Sequence, residues 1–285
     1  MKIGIPDEIV NALTVDVEDY FMVSAFSDVA PYESWGTYDS RVERNTKSIL
    51  DILDAHSVKA TFFIVGWVAD KSPGLVKEIE ERGHEIGCHG YTHRMLSDLT
   101  EGEFRDDTRR AKNILEDLVG HPILGYRAPS FSLTRRTTWA WDVLLEEGFR
   151  YDSSVFPIHH DRYGYPEFER FSKIVRGNGK GDLMEIPATT LRLFGVNLPC
   201  SGGGYFRLYP LRVTEWMFER LNRLEGQPVV FYIHPWELDP GQPRMPGKLL
   251  SIFRHYVNIA GTGRKFDLLL SKYRFGPIRQ VFNLS

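Results

Sequence analysis

The chain reads as an α/β protein with a parallel sheet or barrel. Short, β-rich apolar runs alternate with helix-period runs over most of its length, and residues able to do chemistry follow directly after the apolar runs. Repeated strand–helix alternation favours parallel strands joined by crossover helices. The length of 285 residues fits one α/β barrel, which typically takes roughly 250. We therefore expect a single domain over residues 1–285, with a core at about 11–237 and covering helices at about 238–285.

Residues 12–15 form a first buried strand. An irregular aromatic stretch follows at 20–38, compatible with an interface. Val42, Thr46, Ile49, Leu50 and Leu53 then recur at helical spacing. Residues 60–65 are a compact apolar strand. The next helix runs from about 73 to 82, with Pro73 suited to its first turn and Gly83 to its C-terminal cap. Residues 84–88 are strand-like. Phe104, Thr108, Ala111, Leu115 and Leu118 share one face of a helix that stops at Gly120. Strand, helix and strand follow at 123–126, 137–147 and 149–151.

Residues 157–180 show no clear period and mix Gly, Pro, Arg and aromatics, as a binding loop would. Residues 183–186 are a strand and 201–204 a glycine-rich loop. Val213, Met217, Leu221 and Leu224 mark a helix, and 229–233 a buried strand. Leu250, Phe253 and Val257 mark a covering helix before a tail.

Hydrophobic residues make up 42% and charged residues 26%, enough apolar content for a full core. The net charge of −3 comes without a basic tract, so a nucleic-acid partner has no electrostatic support. No run approaches the roughly 18 apolar residues of a membrane span, and Asp7, Glu8 and Asp16 interrupt any leader-like start. The expected location is cytoplasmic. Two cysteines are too few for a disulfide scaffold.

Thr14-Val15-Asp16-Val17-Glu18-Asp19-Tyr20 places three carboxylates at the end of the first strand. His89 ends the 84–88 run, Arg127 follows 123–126, Asp152 follows 149–151 and His234 follows 229–233. In parallel α/β folds the active site lies at these strand ends. His89 and His93 are four residues apart, which on a helix puts both imidazoles on one face, as a single divalent ion requires. An acid from the first motif completes a His-His-acid set, whose open position is the mark of a catalytic metal. Cys88 reads as a small buried strand residue rather than a ligand. The glycines at 202–204 lack the Lys-Ser/Thr of a phosphate loop. His159 and His160 read as loop residues. Tyr163, Tyr205, Phe206 and Trp236 are either sugar-stacking or packing aromatics, and Glu237 is either a supporting partner or a helix start.

These motifs resemble those of the polysaccharide deacetylases, the NodB-type branch of carbohydrate esterases. Asp16 with Glu18 or Asp19 is similar to the family's acidic pair. His89 to His93 is similar to its H-(S/T)-x-x-H motif, with Gly90 at the Ser/Thr position. Arg127-Ala128-Pro129 is similar to its R-x-P-aromatic motif, with Ser130 in place of the aromatic and Phe131 next. Tyr232-Ile233-His234-Pro235 is similar to its late L-x-I-H motif. Tyr151-Asp152-Ser153-Ser154 occupies the remaining motif without its Trp. The resemblance spans about 11–237, and the TVDVEDYF and GGGYFR wording is similar to a subfamily of bacterial exopolysaccharide clusters.

The resemblance implies an irregular (β/α) barrel of the NodB type and metal-dependent removal of N-acetyl groups from a glycan. His89, His93 and an acid would bind zinc, or equally cobalt or nickel. Asp16 would be general base, oriented by Arg127. A backbone N–H near Ser130 or Phe131 would face the oxyanion. His234 would be general acid, held protonated by Asp152. The third ligand is Glu18 or Asp19; alternation along an extended chain puts Glu18 on the face of Asp16 and favours it. The alternatives are a cyclic imide or ureide hydrolase of the same fold, or a glycan-binding protein without catalysis.

Overall fold

A computed structural model describes residues 9–177 and 181–284. Its centre is a curled, mainly parallel sheet. Strand β1 (Asn11–Val17) is buried along its whole length and flanked by β10 (Val230–Ile233) and β2 (Thr61–Ile64). From β2 the order continues through β3 (Glu85–Cys88), β4 (Gly125–Tyr126), β5 (Tyr151–Asp152) and β7 (Asp182–Glu185). The central strands are continuous apolar runs because both faces are covered, and they lack the in–out alternation of half-exposed strands.

The outermost strand, β6 (Lys173–Gly177), pairs antiparallel with β7. It falls inside the stretch expected to be irregular. Its half-exposed residues, interrupted by a register shift between Ile174 and Arg176, give no strand signature. Positions 178–180 of that stretch lie outside the described residues. Among the described residues the ladder does not close. Instead the Val230 amide donates to Thr189 Oγ1 (2.8 Å) and the Tyr232 amide to Ser201 O (2.6 Å), linking β10 to the chain that follows β7. A separate hairpin joins β8 (Thr190–Leu193) and β9 (Val196–Pro199).

Helices α1 (Val42–Ala55), α2 (Gly66–Lys71), α3 (Pro73–Glu81), α4 (Glu101–Val119) and α5 (Ala140–Glu146) form the crossovers of the first half. Helix α4 carries the clearest local code. Thr100 and Glu103 cap each other's backbone groups at its start, and Gly120, at φ 75°, ends it in the left-handed conformation. The second half contributes α6 (Gly203–Leu208), α7 (Leu211–Glu219), α8 (Leu249–Tyr256), α9 (Ile259–Leu270) and α10 (Ile278–Val281). The aromatic stretch at 20–38 is core rather than interface: Tyr20, Phe21 and Trp35 are buried, and Phe21 stacks on Tyr38 with centroids 4.9 Å apart.

The tail does more than cover. Strand β11 (Phe275–Gly276) pairs with Asn11 and Ala12 of β1. Helix α10 then seals the end of the sheet opposite the strand C-termini. Ile278 is fully buried with Ala12, Phe63, Tyr151 and Val230. Its amide donates to Thr61 Oγ1 (2.8 Å), and the Arg279 amide to Glu85 Oε2 (3.1 Å). A tail without helical or strand periodicity carries no sign of this role. Ile278→Ala should cost about 2–5 kcal/mol of unfolding free energy, as cavity-forming core truncations do. Denaturant unfolding measures it.

Candidate active site

The C-terminal ends of β1, β3, β4 and β10 converge on one group of polar residues. Asp16, Glu18, His89, His93, Arg127 and His234 are all brought there. Glu18, His89 and His93 form a tight cluster whose ligand atoms lie within 4.8 Å of one another.

His89 and His93 meet without a helix. Residues 89–93 form a loop in which Gly90 (φ 68°) and His93 (φ 52°) are both left-handed. Asp107 of α4 holds that loop, accepting from the Tyr91 amide (2.7 Å), the Thr92 amide (3.0 Å) and Thr92 Oγ1 (2.6 Å). A Cβ at position 90 would come within 3.0 Å of Asp107 Oδ2, which explains glycine where the family motif has Ser or Thr. The strained His93 is fixed by this surrounding network, as strained residues at functional sites are.

Each imidazole uses Nδ1 for the backbone and turns Nε2 inward. His89 Nδ1 is 2.7 Å from Arg127 O, and His93 Nδ1 is 2.9 Å from Met22 O. Carbonyls only accept, so both Nδ1 atoms carry a proton, and both Nε2 atoms are left to face the cluster. Burial pushes His89 down to about 4, which keeps it neutral, as a ligand must be. His93 Nε2 is buried with no hydrogen-bond partner, yet lies 2.5 Å from Glu18 Oε2. Burial alone would raise the Glu18 carboxyl; the His93 and His234 imidazoles outweigh it and hold it well below its ordinary range. Trp236 Nε1 donates to the other Glu18 oxygen (3.0 Å). Two imidazole Nε2 atoms turned onto a buried carboxylate, all within 4.8 Å, are a donor set that fits a divalent cation.

Asp19 is turned away from this cluster. The chain leaves extended geometry after β1, and Asp19 Oδ2 accepts from Ser40 Oγ (2.8 Å) and from the amides of Arg41 (2.7 Å) and Val42 (3.0 Å). It anchors the start of α1 and has no place among the ligand atoms. Alternation along the chain thus leaves Glu18, not Asp19, with Asp16.

Arg127 is fully buried between the rings of Phe63 and Phe131. Its Nη1 donates to Asp16 Oδ1 and to Thr14 Oγ1, both at 2.7 Å, while Nε and Nη2 bind Ser153 O and Oγ. The Phe131 amide is already committed to Ala128 O (3.1 Å), while Ser130 is held left-handed at φ 56°.

Asp152 does not support His234. Its carboxylate accepts from Ser154 Oγ and from Trp141 Nε1 (3.1 Å), and lies beside Glu185. Burial raises both carboxyls of this pair, Asp152 to about 6 and Glu185 further still, so together they retain a proton. Ser154 Oγ in turn accepts from the Ala128 amide (2.7 Å), so Asp152 braces the Arg127–Ala128–Pro129 turn.

The partner of His234 is Glu237, in the short turn after β10. Glu237 Oε1 lies 2.7 Å from His234 Nδ1, and Oε2 accepts from Arg207 Nε at 2.6 Å. Burial opposes ionisation of Glu237, but Arg207 and His234 win and bring it down to about 2. Burial would likewise lower His234, and Glu18 and Glu237 overcome it, raising the imidazole to about 9. His234 Nε2 points inward, 3.6 Å from Glu18 Oε1 and 3.9 Å from Asp16 Oδ2. Glu237 sits three residues after His234, a separation one turn can close; that was the available signal. Arg207 carried none, and Trp236 was read only as a stacking or packing aromatic.

A His-His-acid cluster at the strand ends of an α/β sheet thus has the donors of a divalent-cation site, with a carboxylate and a protonated imidazole beside it. Residues 30–151 match the polysaccharide deacetylase family, and residues 153–283 match a domain of unknown function, DUF3473. The first part of the chain is thus a polysaccharide deacetylase domain, and a DUF3473 domain follows it. A peptidoglycan-N-acetylglucosamine deacetylase of Bacillus cereus is 43% identical over 84 residues, 30% of each chain. The peptidoglycan deacetylase of Helicobacter pylori is 29% identical over 153 residues, 49% of this chain and 51% of that protein. The matches thus span about half or less of these two relatives. A putative polysaccharide deacetylase from Mycobacterium smegmatis has the same fold, with TM-score 0.58 and 21% identity over 99% of this chain and 92% of that one. Puue allantoinase shares it too, with TM-score 0.59 and 16% identity over 98% and 93%.

Metal titration separates the two acids after Val17. Glu18→Gln and His93→Ala should each abolish binding of one equivalent of zinc. Asp19→Ala should retain zinc and instead lose about 1–3 kcal/mol of stability, because Ser40 Oγ and the amides of Arg41 and Val42 lose their acceptor.

Proposed function

We propose that this protein is a metal-dependent amidohydrolase that removes N-acetyl groups from a glycan. The observation that carries this reading is one of geometry: a carboxylate and a protonated imidazole both face the Glu18–His89–His93 cluster within 4 Å of its carboxylate or of each other. Zinc is the expected ion, on grounds of affinity and availability. A divalent ion held there supplies Lewis acidity toward an amide carbonyl and acidifies water.

The chain's own groups do the rest. Asp16, fixed by Arg127, removes the proton from the attacking water. His234, protonated through Glu237 and Arg207, gives its proton to the departing amine, without which the C–N bond does not break productively. Trp236 locks Glu18 in its orientation. A glycan containing N-acetylglucosamine is the substrate class favoured by the names of the relatives, and an exopolysaccharide intermediate is favoured by the subfamily wording. A binding protein without catalysis has no need for the buried Arg207–Glu237–His234 chain, so that alternative loses support.

Acetate release from N-acetylglucosamine oligomers with zinc tests the reading. Asp16→Asn and His234→Gln should each lower kcat/KM by about 100-fold or more, as loss of a general base or acid does. Wild-type inactivity with zinc bound would refute it. Glu237→Gln should move the alkaline limb of kcat to lower pH. His234 is active when protonated; against burial, its pKa is raised by Glu18 and then by Glu237, and the protonated form is lost as pH rises through that pKa. An unmoved limb would separate His234 from the general-acid role.

A further inference from the structure

Helix α8 leaves most of its apolar surface in water. Its buried residue is His255, which stacks on Trp236 with centroids 4.1 Å apart and donates to Gln242 Oε1 (2.7 Å). Tyr256 fixes the approach to the helix, its hydroxyl accepting from the Met245 amide (2.7 Å) and donating to Pro243 O (2.9 Å). Away from that side, Leu249 is 86% exposed, Leu250 55% and Phe253 56%. Spacings of three and four residues put these side chains on one face. Leu250 and Phe253, whose spacing marked a covering helix in the sequence, thus lie on its outer side. Leu208, at the end of α6, is 49% exposed and lines a cavity together with Leu250 and Phe253. Single exposed apolar residues need no explanation, but a contiguous set marks an interaction surface.

The charge around this face is mainly of one sign. Residues 240–266 contain no Asp or Glu, yet Arg244, Lys248, Arg254, Arg264 and Lys265 fall among them. Lys248 directly precedes α8 and is exposed. Arg244 is exposed too, with its guanidinium over the Tyr256 ring at 4.6 Å. Asp161, from the neighbouring loop, reaches Arg254 at 3.3 Å, and Arg162 beside it lines the cavity. Lys265 is spent on the Phe206 and Tyr209 carbonyls. In a chain of net charge −3, the border of the apolar face is locally positive.

We propose that α8 docks this protein onto the surface of an anionic lipid bilayer. Leucines and a phenylalanine on one helix face, bordered by Lys and Arg, suit a membrane interface. The apolar side chains enter the acyl boundary while the cations meet anionic headgroups. A two-fold contact with a second copy would set the basic border against itself, which disfavours self-association. Leu250 and Phe253 line the same cavity as Tyr232 and Trp236, so docking brings the candidate site to the membrane surface. Docking is independent of the deacetylase reading, because it is scored by binding without turnover.

Cosedimentation of the zinc-loaded full-length protein with lipid vesicles tests the docking face. Vesicles of phosphatidylcholine mixed with phosphatidylglycerol should bind it at least about tenfold more strongly than phosphatidylcholine alone. Added salt should weaken that binding severalfold, since exposed charges are screened. The double variant Leu249→Ser with Phe253→Ser should bind the mixed vesicles about tenfold more weakly. It should keep the wild-type Tm and one equivalent of zinc, because both side chains stand in water. Lys248→Glu should weaken binding to the mixed vesicles and leave phosphatidylcholine binding unchanged. No binding to the mixed vesicles, equal binding to both kinds, or binding indifferent to the double variant overturns the proposal. Dimerisation without vesicles that the double variant abolishes assigns the face to a second copy, and overturns it as well.

Discussion

Arg127 is a fully buried guanidinium, and the polar end of the sheet is built around satisfying it. An ionised group out of water is tolerable only when its donors are paired. Arg127 meets that demand by reaching from β4 to Thr14 and Asp16 on β1 and to Ser153 beyond β5. The same contacts fix the Asp16 carboxylate beside the Glu18–His89–His93 cluster. Its neighbours extend the effect, since Arg127 O orients His89 and Ser154 holds the next amide. Removing the guanidinium would leave Asp16 buried without its partner and β1 unlinked from β5.

A second buried guanidinium does for the imidazole what Arg127 does for the carboxylate. Arg207 fixes Glu237, and Glu237 fixes His234. The two arginines come from different halves of the chain, Arg127 from the segment matching the polysaccharide deacetylases and Arg207 from the DUF3473 segment. The site is therefore assembled across both, with Glu237 and Trp236 also supplied by the second half. Asp152, in the position where the family motif places the imidazole's support, is left to brace the Arg127 turn with Glu185 and Ser154. A missing Trp after Asp152 was the sequence-level sign that this motif had changed.

Most of the site was legible because strand ends concentrate function, and a titratable residue directly after an apolar run is visible in one dimension. Asp16, Glu18, His89, Arg127 and His234 all have that signature. The support of His234 was not legible: the family motif pointed to Asp152, and only the turn after β10 places Glu237 on the imidazole. The choice between Glu18 and Asp19 was half legible. Alternation favoured Glu18, but only the bend after β1 shows Asp19 spent on the amides of α1.

The sequence by itself determined the alternating α/β order, the extents of strongly periodic helices such as α4, and the residues with chemical capacity. Local propensity, capping and burial of apolar runs act over a few residues, so they can be read in order. Only the tertiary structure decided what those residues do to one another. The left-handed loop that joins His89 to His93, the return of β11 and α10 to the start of β1, and the reach of Arg207 to Glu237 all couple positions far apart in the chain. Desolvation sets those couplings, because a buried charge accepts whichever partner the packed fold brings within reach.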